Sequence, residues 1–119
     1  VKEVMTMDIY IVLNFIKMNI EQLAVNAEQA EQFLKLMANK NRLMILCSLL
    51  QGEQSVGELN KNVPLAQSAL SQHLASLRKA HMVATRREGH TIYYSLTDPK
   101  VESIIALLYE WFCRQENTK

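Results

Sequence analysis

The apolar positions of this chain switch from helical spacing to alternation and back again. From Asn19 onward, Leu23, Ala27, Ala30, Phe33, Leu34 and Met37 fall on one face of a helix, with Glu21, Glu28, Glu31 and Lys35 largely opposite. Glu31 and Lys35 stand four apart in the favourable order. Asn39 is placed to cap a second helix on which Leu43, Leu46, Cys47 and Leu50 share a face, with Ile45 and Leu49 beside them. Gln51-Gly52 stops it. Ser55-Val56-Gly57-Glu58 has the spacing of a capping box and opens a short third helix through Leu59 and Asn62. Pro64 closes that connection. A fourth helix starts at Ala66 or Gln67, with Leu70, Leu74 and Leu77 inward and Gln67, Ser68, Ser71, Gln72 and Arg78 outward.

Beyond it the period falls to two. Val83 to Arg87 and Thr91 to Leu96 read as strands joined by a hairpin turn at Glu88-Gly89-His90, with Ile92, Tyr94 and Leu96 supplying one face. Asp98-Pro99 starts a last helix, with proline in the first turn where its missing N–H costs least. Val101, Ile104, Ile105, Leu108, Trp111 and Phe112 form a wide apolar stripe along it. The order α–α–α–α–β–β–α predicts a mainly α fold with a β-hairpin wing, a winged helix-turn-helix. Helix pairs joined by about four residues also occur in bundles that never touch DNA; the hairpin that follows strengthens the reading here.

Residues 19–115 are expected to form this domain, residues 116–119 a C-terminal tail, and residues 1–18 an N-terminal extension. Within the extension, Ile9 to Leu13 is an unbroken apolar run, short of the roughly 20 residues that span a bilayer. It lacks a strongly basic leader and a small-residue cleavage site. Two readings stay open for it. Ile9, Val12, Leu13 and Ile16 fit a helix packed on the body or on a partner; alternatively the start is misplaced upstream and Met18 is the true first residue. A cytoplasmic protein without a membrane span is expected.

Composition sharpens the picture in two places. The chain has 119 residues, 49% of them hydrophobic, so it suits one domain, small enough that a partner burying further apolar surface is modestly favoured. Broad apolar faces on the first and last helices favour dimerisation through them, although both stripes could also close a monomeric core. The net charge of +1 is not uniform: residues 66–97 carry +3, while residues 1–37 carry −2. Fluctuations of that size occur on ordinary solvated faces, yet here the excess coincides with the predicted fourth helix and wing. A dimer would double it on one binding face, enough to make affinity for nucleic acid strongly salt-dependent.

In that setting Gln67, Ser68, Ser71 and Gln72 supply short polar side chains at the leading end of a recognition helix, able to reach base edges and phosphates in a major groove. Arg78 follows on the same helix. Arg86 and Arg87 lie beside the hairpin tip, in reach of a neighbouring groove or backbone. His73 has two readings: a half-buried helix histidine bonded within the protein, which the spacing favours, and a base contact.

Asn41-Arg42-Leu43-Met44-Ile45-Leu46, Ser55-Val56-Gly57-Glu58-Leu59, Leu70-Ser71-Gln72-His73-Leu74-Ala75-Ser76-Leu77-Arg78 and Arg86-Arg87-Glu88-Gly89 together make the chain resemble the ArsR/SmtB family of winged-helix repressors. The likeness covers about residues 20 to 114, and the Ser-Gln-His-Leu block is fairly specific. It implies a homodimeric repressor on double-stranded operator DNA, an imperfect palindrome, that lets go when an inducer binds. It also implies that Ala66 to Lys79 is the recognition helix, that residues 83–96 are the wing, and that the first and last helices form the dimer interface. At the cap of the recognition helix the family commonly has Ser or Thr, where this chain has Ala66.

Many relatives sense metals, and the matching positions here lack the ligands. Ser55-Val56-Gly57 stands where a Cys-x-Cys thiolate site would be, and Asp98, Lys100, Trp111 and Arg114 stand where a zinc site would be. Neither familiar metal site is expected, nor any cofactor. The two cysteines, Cys47 and Cys113, instead resemble the pair in the persulfide- and redox-responsive branch that includes BigR, SqrR and HlyU. That resemblance implies an intrasubunit disulfide or polysulfide bridge, formed by reactive sulfur species or oxidants, that lowers DNA affinity. A buried and inert Cys47 is the alternative, since free cysteine is commonly a core residue. Another effector such as a metal at an unrecognised site, or a protein-interaction module that does not bind DNA, are the competing functions. A thiol enzyme is not expected: there is no Cys-x-x-Cys pair, and neither Cys has a neighbouring His in sequence.

Overall fold

In the computed structural model the described residues are 20–114, preceded by Ile9 and Ile11. The expectations for the remaining residues of the extension and for the tail at 116–119 lie outside them. The chain divides after Lys35 into two compact units.

The first unit contributes most of α1, Ile20–Met37. Glu31 and Lys35 form the expected pair on it, 3.5 Å apart. Within this unit Leu23 and Phe33 are half-buried, while Ile20, Val25 and Leu34 are exposed.

The second unit holds the remaining elements in the predicted order, with one addition. Asn39 caps α2, Lys40–Leu49, its side-chain oxygen accepting from the backbone N–H groups of Asn41 and Arg42 at 3.0 and 3.1 Å. The buried face of α2 is Ile45, Leu46, Ser48 and Leu49; Leu43, Cys47 and Leu50 lie at its half-buried edge. The expected stripe was thus rotated by about one residue, because this short helix packs deeply enough to hide two adjacent columns. After Gly52 a short strand, β1 (Gln54–Ser55), appears that the sequence pattern did not reveal. It runs directly into α3, Val56–Asn62, through the expected capping box: Ser55 Oγ accepts from the Glu58 N–H, and Glu58 Oε1 accepts from the Ser55 N–H.

The turn from α3 to α4, Gln67–Lys79, is tightly held. The Leu65 N–H closes on the Val63 carbonyl at 2.8 Å around Pro64. Asn60 Nδ2 donates to the Val63 and Leu65 carbonyls at 3.1 and 3.0 Å. At its far end α4 finishes in a left-handed residue, His81, with the Met82 N–H on the Leu77 carbonyl and the His81 N–H on the Arg78 carbonyl, both 2.9 Å.

Strands β2 (Val83–Glu88) and β3 (Thr91–Leu96) form the hairpin, and β1 pairs on the other side of β3, giving an antiparallel sheet in the order β1-β3-β2. Glu88 pairs with Thr91, so the loop is only Gly89 and His90. The positive φ of Gly89 (64°) meets the need of such a two-residue turn. Asp98 caps α5, Pro99–Leu108, and a π-helical turn, Tyr109–Cys113, extends it. Leu46, Leu59, Val63, Leu70, Leu74, Leu77, Met82, Val101 and Ile105 form the core under all these elements, each at most 1% exposed. Trp111 (64%) and Phe112 (78%), expected to continue the α5 stripe, are instead exposed in the single chain.

Candidate nucleic-acid interface and thiol pair

Three leucines, Leu70, Leu74 and Leu77, anchor α4 to the core. That fixes the opposite side as an exposed stripe. Gln67, Ser68, Ser71 and Gln72 occupy its first two turns, with Arg78 and Lys79 at the far end. Ala66 at the N-cap makes no side-chain cap bond, so the first N–H groups of α4 are not satisfied by its side chain.

His73 sits to one side of this stripe and is half-buried. Its Nδ1 accepts from Arg42 Nε at 3.4 Å. Arg42 also donates through NH1 to the Leu36 carbonyl at 3.2 Å, so one guanidinium ties the end of α1 to α4.

The two wing arginines part ways because successive strand residues face opposite sides. Arg86 turns to the face of Tyr93, with its guanidinium carbon 4.8 Å from the ring centroid. It donates to both carboxylate oxygens of Glu53, at 2.9 and 2.8 Å, and to Glu88 at 3.0 Å. Arg86 holds the Glu53 carboxyl below the usual carboxylate range, chiefly by hydrogen bonding. Arg87, also exposed, faces the other side with no ion pair to another described residue. Glu53 and Tyr93 had no signal in the sequence, since a carboxylate 33 residues from its arginine is visible only once β1 is known.

Cys47 and Cys113 come together. Both line a cleft of about 270 Å³ with Met44, Ser48, Gln51, Asn62 and Tyr109. Both are free thiols, Cys47 half-buried and Cys113 exposed. Burial pushes the Cys47 thiol above the ordinary thiol range, and the adjacent Cys113 adds to this by charge and by hydrogen bonding. Cys47 is therefore neither isolated in the core nor freely exposed.

Behind the cleft lies a compact polar cluster. Gln54 Nε2 donates to the Ser48 carbonyl at 2.6 Å, and Ser48 Oγ donates to Gln54 Oε1 at 3.2 Å. Asn62 Nδ2 reaches Ser48 Oγ at 3.1 Å and Gln54 Oε1 at 3.2 Å. Among the described residues Ser48 and Gln54 are the buried polar ones, and their hydrogen bonds are what make that burial tolerable. The cluster joins α2, β1 and the last residue of α3 beside the thiols.

Among the described residues no cluster of three or more His, Cys, Asp or Glu side chains is placed to hold a metal ion. No helix among them is long and apolar enough to cross a membrane.

Comparison with known proteins agrees with this layout. Residues 39–85, from the cap of α2 into β2, match the model described as bacterial regulatory protein, arsR family. The transcriptional activator HlyU of Vibrio cholerae is 47% identical over 97 residues, covering 82% of this chain and 90% of that protein. The biofilm growth-associated repressor of Xylella fastidiosa is 40% identical over 96 residues, covering 81% of this chain and 84% of that protein. A solved structure of reduced HlyU from Vibrio cholerae superposes with a TM-score of 0.76 at 46% identity, over 80% of this chain and 100% of that one. Identity of 47% over 82% of the chain leaves one conclusion: the chain belongs to the arsR family of bacterial regulatory proteins, whose members are DNA-binding transcriptional regulators and not enzymes.

Proposed function

We propose that this chain acts as a homodimeric transcriptional repressor, and that bridging of Cys47 to Cys113 releases it from operator DNA. The observation that carries the switch is the meeting of the two thiols in one cleft of one chain. Gln67, Ser68, Ser71 and Gln72 read base edges, while Arg78 and Arg87 hold phosphates. In the second unit the exposed Leu107, Tyr109, Trp111 and Phe112 are apolar side chains a second copy would cover, and in the first unit Ile20, Val25 and Leu34 on α1 are likewise exposed. The repressor reading is supported by relatives that carry that word in their names, such as the Xylella fastidiosa protein; the Vibrio cholerae relative is named an activator.

The chemistry needs only an organic persulfide. One cysteine thiolate takes its terminal sulfur and expels the organic thiol, leaving a cysteine persulfide. The second thiolate attacks the inner sulfur, forms the disulfide and expels hydrosulfide. In total one persulfide and two thiols give one disulfide, one organic thiol and hydrogen sulfide. If both cysteines are first persulfidated, the same attack leaves a trisulfide and again releases hydrogen sulfide.

The deciding experiment measures binding of the reduced protein to its own upstream DNA before and after persulfide treatment, with intact mass followed in parallel and Cys47→Ser as the control. Loss of binding together with an intrachain bridge, both abolished in the control, is the expected result. Equal binding in the reduced and bridged states would overturn the switch and leave the DNA-binding reading standing.

A further inference from the structure

The thiol cleft holds a third sulfur that the proposed switch does not use. Met44 precedes Cys47 by three residues on α2, so the two side chains project from one side of the helix, and both line the cleft into which Cys113 reaches. Its other lining side chains, Ser48, Gln51, Asn62 and Tyr109, are neutral. Two thiols and a thioether in a partly buried, uncharged cleft are a soft donor set. Such donors favour Cu(I), whereas zinc sites usually draw on four nitrogen or sulfur ligands.

We propose that Cys47, Cys113 and Met44 form a binding site for a soft, thiophilic metal ion of the Cu(I) type, at the place where the sulfur bridge would form. Binding is an exchange of protons for metal. Cu(I) takes the place of the two S–H protons, which leave to solvent, and the thioether of Met44 binds as a neutral ligand. No electron is transferred. Because metal and bridging sulfur need the same two Sγ atoms, each excludes the other. The site rests on the placement of the thiols and not on the sulfur switch, so either can fail alone.

The test is an anaerobic titration of the reduced full-length protein with Cu(I) in competition with a chromophoric Cu(I) chelator. One Cu(I) per protomer should pass from chelator to protein. Cys47→Ser and Cys113→Ser should each lower the affinity by at least ~100-fold, and Met44→Leu, which keeps the volume, by ~10-fold. Met44→Leu should form the persulfide-induced bridge as the parent does, which separates the metal site from the switch. Thermal melts of each variant check folding, and Cys113→Ser alters an exposed position. Retention of Cu(I) by the chelator would overturn the proposal, as would equal affinity in Met44→Leu or equally tight binding of Zn(II). Failure of persulfide to form a bridge, with Cu(I) still bound, would count against the proposed function alone.

Discussion

Arg86 and Glu53 form a two-pronged ion pair between the wing and the segment before β1, Nε to Oε2 at 2.9 Å and NH2 to Oε1 at 2.8 Å. Both groups lie near the surface, and a lone pair there would contribute little. This one is bidentate, stacked on Tyr93 and shared with Glu88, so its role is geometric: it ties β2 to the segment leading into β1.

The two wing arginines should therefore respond differently to truncation. Arg87→Ala is expected to reduce the slope of log affinity against log salt by about one per protomer while leaving amide exchange in the wing unchanged. Arg86→Ala should accelerate exchange across residues 83–96. The charge-exchanged pair Glu53→Arg with Arg86→Glu, which keeps the net charge but loses the Glu88 pair and the Tyr93 stacking, should restore only part of that protection. If Arg86→Ala lowers the salt slope as Arg87→Ala does and leaves exchange untouched, Arg86 reaches DNA instead.

The same pair sets an acid limit. Glu53 has its carboxyl value lowered in the folded protein, so its contribution is present above the unfolded value and is lost as pH falls through the folded one. Wing protection measured by hydrogen exchange should persist through the ordinary carboxylate range and fade only below it. In Glu53→Gln that acid-linked loss should disappear.

Cys47 carries a raised thiol value, so it stays protonated further into the alkaline range than a free cysteine. Alkylation followed by peptide mass should show Cys113 reacting first at neutral pH, and the Cys47 rate still climbing where a free thiol has levelled off. Cys113→Ser removes the charge and hydrogen-bond causes but not burial, so the Cys47 profile should move part of the way back towards lower pH. An unchanged profile would mean that burial alone raises it.

Both ends of α4 carry a residue that the local geometry does not favour. Ala66 has the extended backbone of an N-cap (φ −56°, ψ 142°) but no oxygen to offer. Ala66→Ser should raise stability by about 1 kcal/mol in denaturant unfolding. His81 holds a left-handed φ of 63° where glycine is usual, and His81→Gly should add about 1 kcal/mol. Stability unchanged by both would mean the ends of this helix are held by its packing alone.

Gln54→Leu should cost about 1–3 kcal/mol, because it leaves Ser48 and Asn62 without their shared partner inside the protein. Urea unfolding monitored by circular dichroism gives the value. A cost near zero would indicate that the cluster is replaceable by packing.

Much of this was legible in the chain because it is written locally. The Asn39 cap, the Ser55–Glu58 capping box, the leucines of α4 and the Asp98-Pro99 start each depend on residues within a few positions of one another. The polar stripe on α4 follows from the same periodicity. What stayed hidden depends on distant pairing. The two residues of β1 are too short for a pattern and exist through their register with Tyr93 and Tyr94. The partners of Arg86 follow from that register, as does the different facing of Arg87. The meeting of Cys47 and Cys113 came from resemblance and not from spacing, because nothing local says how α2 and the end of the chain pack. Met44 was visible at three residues from Cys47 but had no meaning until the cleft was seen.

The π-helical turn at the end of the chain has a wider consequence. Its carbonyl at Tyr109 accepts from the N–H of Arg114 at 2.9 Å, five residues on, so each residue advances around the axis by less than the ~100° of an α-helix. Tightening the turn to α winding would swing Cys113 on the order of tens of degrees and carry it from its place beside Cys47. Trp111 and Phe112 ride on the same five residues. Cys113 and the exposed aromatic rings thus share a single helical phase, set by one five-residue turn.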